Sequence, residues 1–292
     1  MEIRILRYFL TVATEQSITQ AARVLHITQP TLSRQIKELE EKLGTPLFIR
    51  KNKKMLLTEA GMFLKSRAEE MVLLSDKTEQ VFLERKQEVV SGHIAIGCVE
   101  ADNSDTLAMF LEEMVAEYPQ VSFSIFSGTS DEIVEKLDRG LLDIALLLEP
   151  ISTEKFNKII LPRQEKWGLL VSKDFFLANR NCVTIDELMG IPLLCPSRVD
   201  VQKMLYARLK LEVGELTIIG TFNLIFNVFS LVENGVGSAL TIEGAVSNRR
   251  LENMKFLPLM PEIKINCVVV WKKNTVISPA VHKLIEKFKH AF

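Results

Sequence analysis

The chain has 292 residues, 47% hydrophobic and 25% charged, with a formal net charge of −1. This is an ordinary globular composition with length for two or three domains, and it needs neither disulfides nor metal to hold its core. No apolar run approaches the roughly 18 residues of a spanning helix, so no membrane association is expected. Charges interrupt the opening MEIRILRYFLTVATEQ and no small-residue cleavage site follows, so a signal peptide is not expected either. Cys98, Cys182, Cys195 and Cys267 are scattered without a Cys-x-x-Cys pair, as expected of reduced thiols in a cytoplasmic protein. The charge is uneven: residues 1–58 hold ten Lys/Arg against five Asp/Glu, and residues 59–88 hold five against seven. A small basic module on an acidic body points to a polyanionic partner for the module alone.

Residues 2–15 read as a helix through Leu6, Phe9, Leu10 and Ala13, and a shorter helix over 18–25 follows Ser17 and buries Ala21, Ala22 and Leu25. Thr28 is a plausible N-cap for a third helix, with Pro30 in its first turn, Leu32, Ile36, Leu39 and Leu43 on its apolar face, and Gly44 at its end. Leu47–Ile49 and Met55–Leu57 are short strands around the basic tip Arg50–Lys54, the pattern of a two-stranded wing. From Glu59 to about Glu88 a long helix is expected. Its stripe of Leu64, Ala68, Met71, Ser75, Thr78 and Phe82 fits either self-pairing or packing on its own domain.

Beyond Gly92 strands and helices alternate. Strands are expected at His93–Cys98, Val121–Ile125 and Asp143–Leu148, with helices marked by Leu107–Tyr118 and Ile133–Leu137. The pattern then repeats. Strands fall at Gly168–Ser172, Leu193–Cys195, Leu216–Phe222, Ser238–Ile242 and Lys264–Trp271. A capping box joins Thr184 and Glu187, and helices fall near 200–210, 224–234 and 281–288. A mainly parallel sheet is expected, in two similar α/β lobes that meet at a cleft.

The small Ala21 and Ala22 allow close approach of two helices, and Leu25, Ile27 and Leu32 lock them. The third helix then presents Gln29, Thr31, Ser33, Arg34, Gln35 and Lys37, which suit base edges and phosphates. Residues 17–61 closely resemble the DNA-binding segment of LysR-type transcriptional regulators. The matching features are AA at 21–22, TQPTLSRQI at 28–36, LE at 39–40, LG at 43–44, LF-R at 47–50 and LTEAG at 57–61. YPQV at 118–121 and GLLDIAL at 140–146 resemble the effector domain of the same family. Beyond residue 160 the likeness is architectural.

The resemblance implies a multidomain α/β protein. A winged helix-turn-helix would occupy residues 1–58 and a linker and dimerisation helix residues 59–88. A two-lobed, periplasmic-binding-protein-like effector domain would fill 89–292, with lobe I at about 92–161 and 267–292 and lobe II at about 162–266. It also implies double-stranded DNA as partner, contacted by Thr28, Gln29, Pro30, Thr31, Ser33, Arg34, Lys37, Arg50 and Lys53. Gln29 would read a base and Arg34 would reach phosphate. Self-association as dimer or tetramer through the linker helix and regulatory domains is expected, with RNA polymerase a candidate further partner.

The family's effector lies between the lobes, and the corresponding positions are Asn103, Ser104, Gly128, Thr129, Ser130, Ser197, Arg198, Phe222 and Asn223. Helix N-termini and Arg198 favour a small carboxylate or an amphoteric metabolite as effector, because Glu149 near the hinge would resist a second negative charge. The rival reading is that Ser104, Thr129 and Ser130 merely cap helices. One branch of the family senses peroxide through a cysteine pair in this region. The spacing of Cys182 and Cys195 does not match it, and a buried inert thiol is expected. No enzyme is expected, because G-x-S-x-G, P-loop, G-x-G-x-x-G and H-E-x-x-H motifs are all missing from the sequence. The four histidines have no metal-ligand spacing, so neither metal nor cofactor is expected. A solute-binding transport protein and a sequence-neutral nucleoid protein are the remaining rivals.

Overall fold

Leu6, Phe9 and Val12 are buried along one side of the first helix, α1 (Ile3–Glu15). In the computed structural model, which describes residues 1–51, 54–84, 90–247 and 251–292, they sit at the centre of the first of two compact units, Met1–Lys86 and Gln87–Phe292. Helix α2 (Ile18–Val24) is capped by the Ser17 side chain and buries Ala21 and Ala22. Helix α3 (Gln29–Leu43) is capped by Thr28 and ends at Gly44, whose φ of +70° is the left-handed conformation that glycine adopts without strain. Strands β1 (Phe48–Lys51) and β2 (Lys54–Leu57) form an antiparallel hairpin, and α4 (Glu59–Glu84) follows.

Two polar contacts fix the hairpin's base. The Glu40 carboxylate accepts from the backbone N–H groups of Leu47 (2.7 Å) and Phe48 (3.1 Å). The Thr58 hydroxyl donates to the Pro46 carbonyl and accepts from the Gly61 N–H. At Gly61 the chains approach so closely that a Cβ would lie 2.1 Å from the Leu47 carbonyl oxygen. Arg7 of α1 pairs with Asp76 of α4. The expected stripe on α4 divides: Leu64 and Ala68 pack into the core of their own unit, whereas Met71, Thr78 and Phe82 are exposed.

The second unit begins with β3 (Gly92–Cys98), α5 (Ser104–Glu117), β4 (Val121–Ser127), α6 (Ser130–Asp138) and β5 (Ile144–Leu148). Strand β6 (Phe156–Ser172) is followed by β7 (Val183–Thr184), α7 (Ile185–Leu188), β8 (Leu193–Pro196), α8 (Val199–Leu209) and β9 (Ile218–Phe222). It closes with α9 (Val228–Glu233), β10 (Ser238–Ile242), β11 (Met254–Met260), β12 (Lys264–Lys272) and α10 (Pro279–Ala291). The strand order is β4-β3-β5-β12-β6-β10-β8-β9, with β11 on β6 and β7 on β11.

Strand β6 serves both lobes. Its residues 156–166 run antiparallel to β12, while 167–172 run antiparallel to β10 and β11. The sheet is therefore mixed, a correction to the mainly parallel expectation: the parallel β3, β4, β5 set and the β8, β9, β10 set are joined through antiparallel strands. One apolar layer packs α5 and α10 on lobe I through Phe110, Met114, Leu284 and Phe288. Another runs across both lobes through Ile133, Leu147, Leu169, Leu193 and Leu240.

Alanine normally improves a helix interior over glycine by up to about 1 kcal/mol. Gly61→Ala in α4 is expected to do the reverse, because its methyl meets backbone rather than a movable side chain. A thermal melt should show a drop worth about 1–3 kcal/mol; an unchanged or raised melting temperature would contradict the packing described.

Candidate functional site

Helix α3 turns one side to its own unit and the other outward. Leu32, Ile36 and Leu39 are buried, while Gln29, Pro30, Thr31, Arg34 and Lys37 are exposed and Ser33 is half-buried. Thr28, also exposed, caps the helix, and its hydroxyl lies 2.8 Å from that of Thr31. His26 makes the turn between α2 and α3 with φ +53°, and the Ile27 N–H bonds back to Ala22. Among the described residues Arg34 and Lys37 pair only with exposed carboxylates one turn along, Glu38 (3.6 Å) and Glu41 (3.5 Å). Such pairs contribute about 0.3–0.5 kcal/mol and yield readily to a phosphate. On the hairpin, Arg50, Lys51 and Lys54 are exposed; Lys53 lies outside the described residues.

The second unit has a cleft where its lobes meet, enclosing about 610 Å³ of empty space that includes open solvent. Gly128, Thr129, Ser130, Arg198, Phe222 and Asn223 line it, so six of the nine expected positions come together. Three do not. Asn103 is buried, and its amide donates to Glu165 Oε1 (3.1 Å) and the Arg163 carbonyl (3.2 Å). Ser104 lies on a different groove, between α5 and β4. Ser197 is exposed outside the cleft, its N–H donating to the Phe222 carbonyl.

The polar groups at the cleft are largely committed to the protein. Thr129 and Glu132 form a reciprocal capping box: the Thr129 N–H donates to the Glu132 carboxylate and the Glu132 N–H to the Thr129 hydroxyl. Ser130 Oγ bonds both the N–H and the carbonyl of Leu148. Arg198 of lobe II reaches lobe I, where it donates to both oxygens of Asp131 (2.9 and 2.8 Å) and to the Pro150 carbonyl (2.9 Å). The expected bidentate carboxylate contact therefore exists, but its carboxylate belongs to the protein. A second tie crosses the lobes from the Ile225 N–H to Glu100 Oε2 (3.1 Å). Sequence reasoning missed Glu100, Trp167 and Ile225 among the lining residues. Glu100 stands two residues beyond β3, in the strand-end position that ligand sites favour; Trp167 carried no local signal.

Behind the cleft, Glu165 is 2% exposed on β6 and accepts from Asn103 and from the Gly244 N–H. Burial and the nearby charge of Asp102 push its carboxyl above the usual range. Burial likewise pushes the Cys195 thiol up to about 12 and that of Cys98 up to about 11, so both stay protonated at neutral pH. No group of His, Cys, Asp and Glu among the described residues is arranged to hold a metal ion. No described helix is long and apolar enough to cross a membrane.

Residues 87–292 match the family model for the LysR substrate binding domain, and residues 3–62 match that for the bacterial regulatory helix-turn-helix protein, lysR family. The chain belongs to the LysR family. It is a LysR-type DNA-binding transcriptional regulator with an effector-binding domain, and its family is one of regulators rather than enzymes. The Hca operon transcriptional activator HcaR of Escherichia coli K12 is 28% identical over 293 residues, covering 98% of this chain and 96% of that protein. OxyR of the same organism, a DNA-binding transcriptional dual regulator, is 31% identical over 194 residues, covering 66% of this chain and 63% of its own. Among solved structures, CbnR complexed with its target DNA superposes with a TM-score of 0.75 at 21% identity, covering 100% of both chains. Full-length BenM gives 0.56 at 26% identity, covering 100% of this chain and 96% of that one.

In this LysR-type chain the raised carboxyl of Glu165 makes a signed prediction. A fold that favours the neutral acid gains stability below the raised pKa and loses it as pH climbs through that value. Glu165→Gln removes the titration. The difference in melting temperature between variant and native protein should move in the variant's favour from about pH 4 to about pH 8. A difference that stays flat across that range would show that Glu165 does not titrate in the fold as described.

Proposed function

We propose that the outward side of α3 is the DNA-reading surface of this regulator. Gln29 is the base reader, and Thr28, Pro30, Thr31 and Ser33 fit its first turn to the major groove. Arg34 and Lys37, with Arg50 and Lys53 of the hairpin, grip phosphate. The observation that carries this reading is the exposure of Gln29, Thr31, Arg34 and Lys37 on the face opposite Leu32, Ile36 and Leu39. One such helix contacts too few bases for a specific site, so the chain works as a dimer or tetramer on paired half-sites, self-associating through α4 and the regulatory unit. The structure of CbnR with its target DNA supports double-stranded DNA as the partner. The cellular setting is the cytoplasm, and RNA polymerase is the remaining candidate partner.

A small-molecule effector occupies the cleft between the lobes and shifts the balance of their closed and open arrangements by binding them differently. Arg198 and Asp131 close the cleft and report its state. The small carboxylate expected from sequence finds little support, because Arg198, the lining cation among the described residues, is already paired with Asp131.

Removing a phosphate contact weakens binding to every sequence and lowers the log–log salt slope by about 0.9. Removing a base contact costs about 1–3 kcal/mol and relaxes preference at one position. Arg34→Ala should therefore reduce affinity uniformly with a shallower salt dependence, and Gln29→Ala should change sequence preference with the slope intact. Gel-shift titrations in which both variants match the native protein would refute the assignment.

A further inference from the structure

The effector cleft, accepted as proposed above, has a chemistry of its own that points away from an anion. Trp167 lines it and is 4% exposed. The indole Nε1 is a buried side-chain nitrogen with no hydrogen-bond partner among the described residues. Buried donors of this kind are normally satisfied, and an indole N–H can only donate. The nitrogen itself is covered, so an acceptor brought into the cleft by a ligand would satisfy it once the indole or its neighbours shift to uncover the N–H.

Charge acts in the same direction. Glu100 and Glu149 both line the cleft. Each has one oxygen engaged, Glu100 Oε2 by the Ile225 N–H (3.1 Å) and Glu149 Oε2 by Asn266 Nδ2 (2.8 Å). For each, Oε1 has no hydrogen-bond partner among the described residues. Arg198 is the lining cation among the described residues, and its charge is already paired: Nε and Nη2 donate to Asp131, and Nη2 also donates to the Pro150 carbonyl. Among the described residues, a carboxylate entering here would meet two like charges and a cation already paired with Asp131, whereas an ammonium would meet two half-free carboxylates. Beside polar Thr129, Ser130, Asn223 and Thr241, Val201, Phe222, Leu224 and Ile265 form an apolar wall that suits a ring or a short hydrocarbon body.

We infer that the effector is an amine-bearing ring compound with a neutral hydrogen-bond acceptor. Its ammonium sits between Glu100 and Glu149, its acceptor takes the Trp167 Nε1 proton, and its ring packs on the apolar wall.

The test titrates three matched probes into the full chain to millimolar concentration, read by thermal shift and tryptophan fluorescence. Tyramine carries the amine, the ring and an acceptor hydroxyl. Phenethylamine lacks the hydroxyl, and 4-hydroxyphenylacetate replaces the amine with a carboxylate. Tyramine should raise the melting temperature most and the acid least. Trp167→Phe keeps the ring and deletes the donor; it should weaken tyramine about tenfold and leave phenethylamine unchanged. Glu100→Gln and Glu149→Gln should each weaken both amines. If the acid binds and the amines do not, or if Trp167→Phe leaves tyramine unaffected, the inference is overturned. If neither amine binds, it is overturned as well. Failure of the cleft reading itself looks different: a bound probe would be indifferent to Trp167→Phe, Glu149→Gln and Phe222→Ala alike, whereas an acid that responds to Phe222→Ala would keep the cleft and remove only the amine.

Discussion

One strand holds the regulatory unit together. The seventeen residues of β6 lie in both lobes, paired with β12 over the first part and with β10 and β11 over the second. The change of partners falls at Lys166 and Trp167, and the groups that define the cleft gather around it. Glu165 ties the strand to Asn103 of one lobe and to the Gly244 N–H of the other, and Trp167 contributes to the cleft wall. Because β12 returns beside β6, the two strands form a narrow bridge about which the lobes can turn without unpairing either sheet.

Closure across that bridge adds a few polar ties to the shared apolar layer: Arg198 to Asp131, the Ile225 N–H to Glu100, and Ser247 to Asp102. Arg198 is nearly buried, with 10% of its side chain exposed, whereas Asp131 remains 61% exposed. The pair is stronger than a free surface pair because the guanidinium also satisfies the Pro150 carbonyl. Solvent at Asp131 still screens it. A contact of that strength suits a device that must open: a ligand that competes for Arg198 or spreads the walls needs only modest differential affinity to change the population. Burial of Cys98 and Cys195 raises the pKa of their thiols and keeps them protonated at neutral pH.

Much of the DNA-facing unit was legible from residues. Thr28, Pro30, Gly44 and the Leu32–Ile36–Leu39 face are local signals, and each fixes a boundary or a side of α3 within its own few residues. The long-range features were harder to read. The first part of β6 carries Lys158, Pro162, Arg163 and Lys166 among its apolar residues, so it lacks a strand period, and Pro258 does the same for β11. Both are strands because of their neighbours. At the cleft, Gly128, Thr129 and Phe222 were accessible through the rule that ligands gather at strand ends. Asn103 was misplaced because its sequence position cannot show that Glu165, sixty-two residues on, takes its amide. Arg198 lines the cleft, and its guanidinium is engaged by Asp131, a partner sixty-seven residues away that no local pattern could reveal.

On this reading the lobes hinge about β6 and β12, with Arg198 among the ties that hold them closed. The distance across the cleft tests this most directly. Nitroxide labels on the exposed Glu135 of α6 and Lys203 of α8, in a Cys182→Ser background, would report it by pulsed electron spin resonance. The native pair should give one narrow distance distribution, and Arg198→Ala should broaden it and move it outward. A distribution unchanged in centre and width on loss of Arg198 would contradict the account.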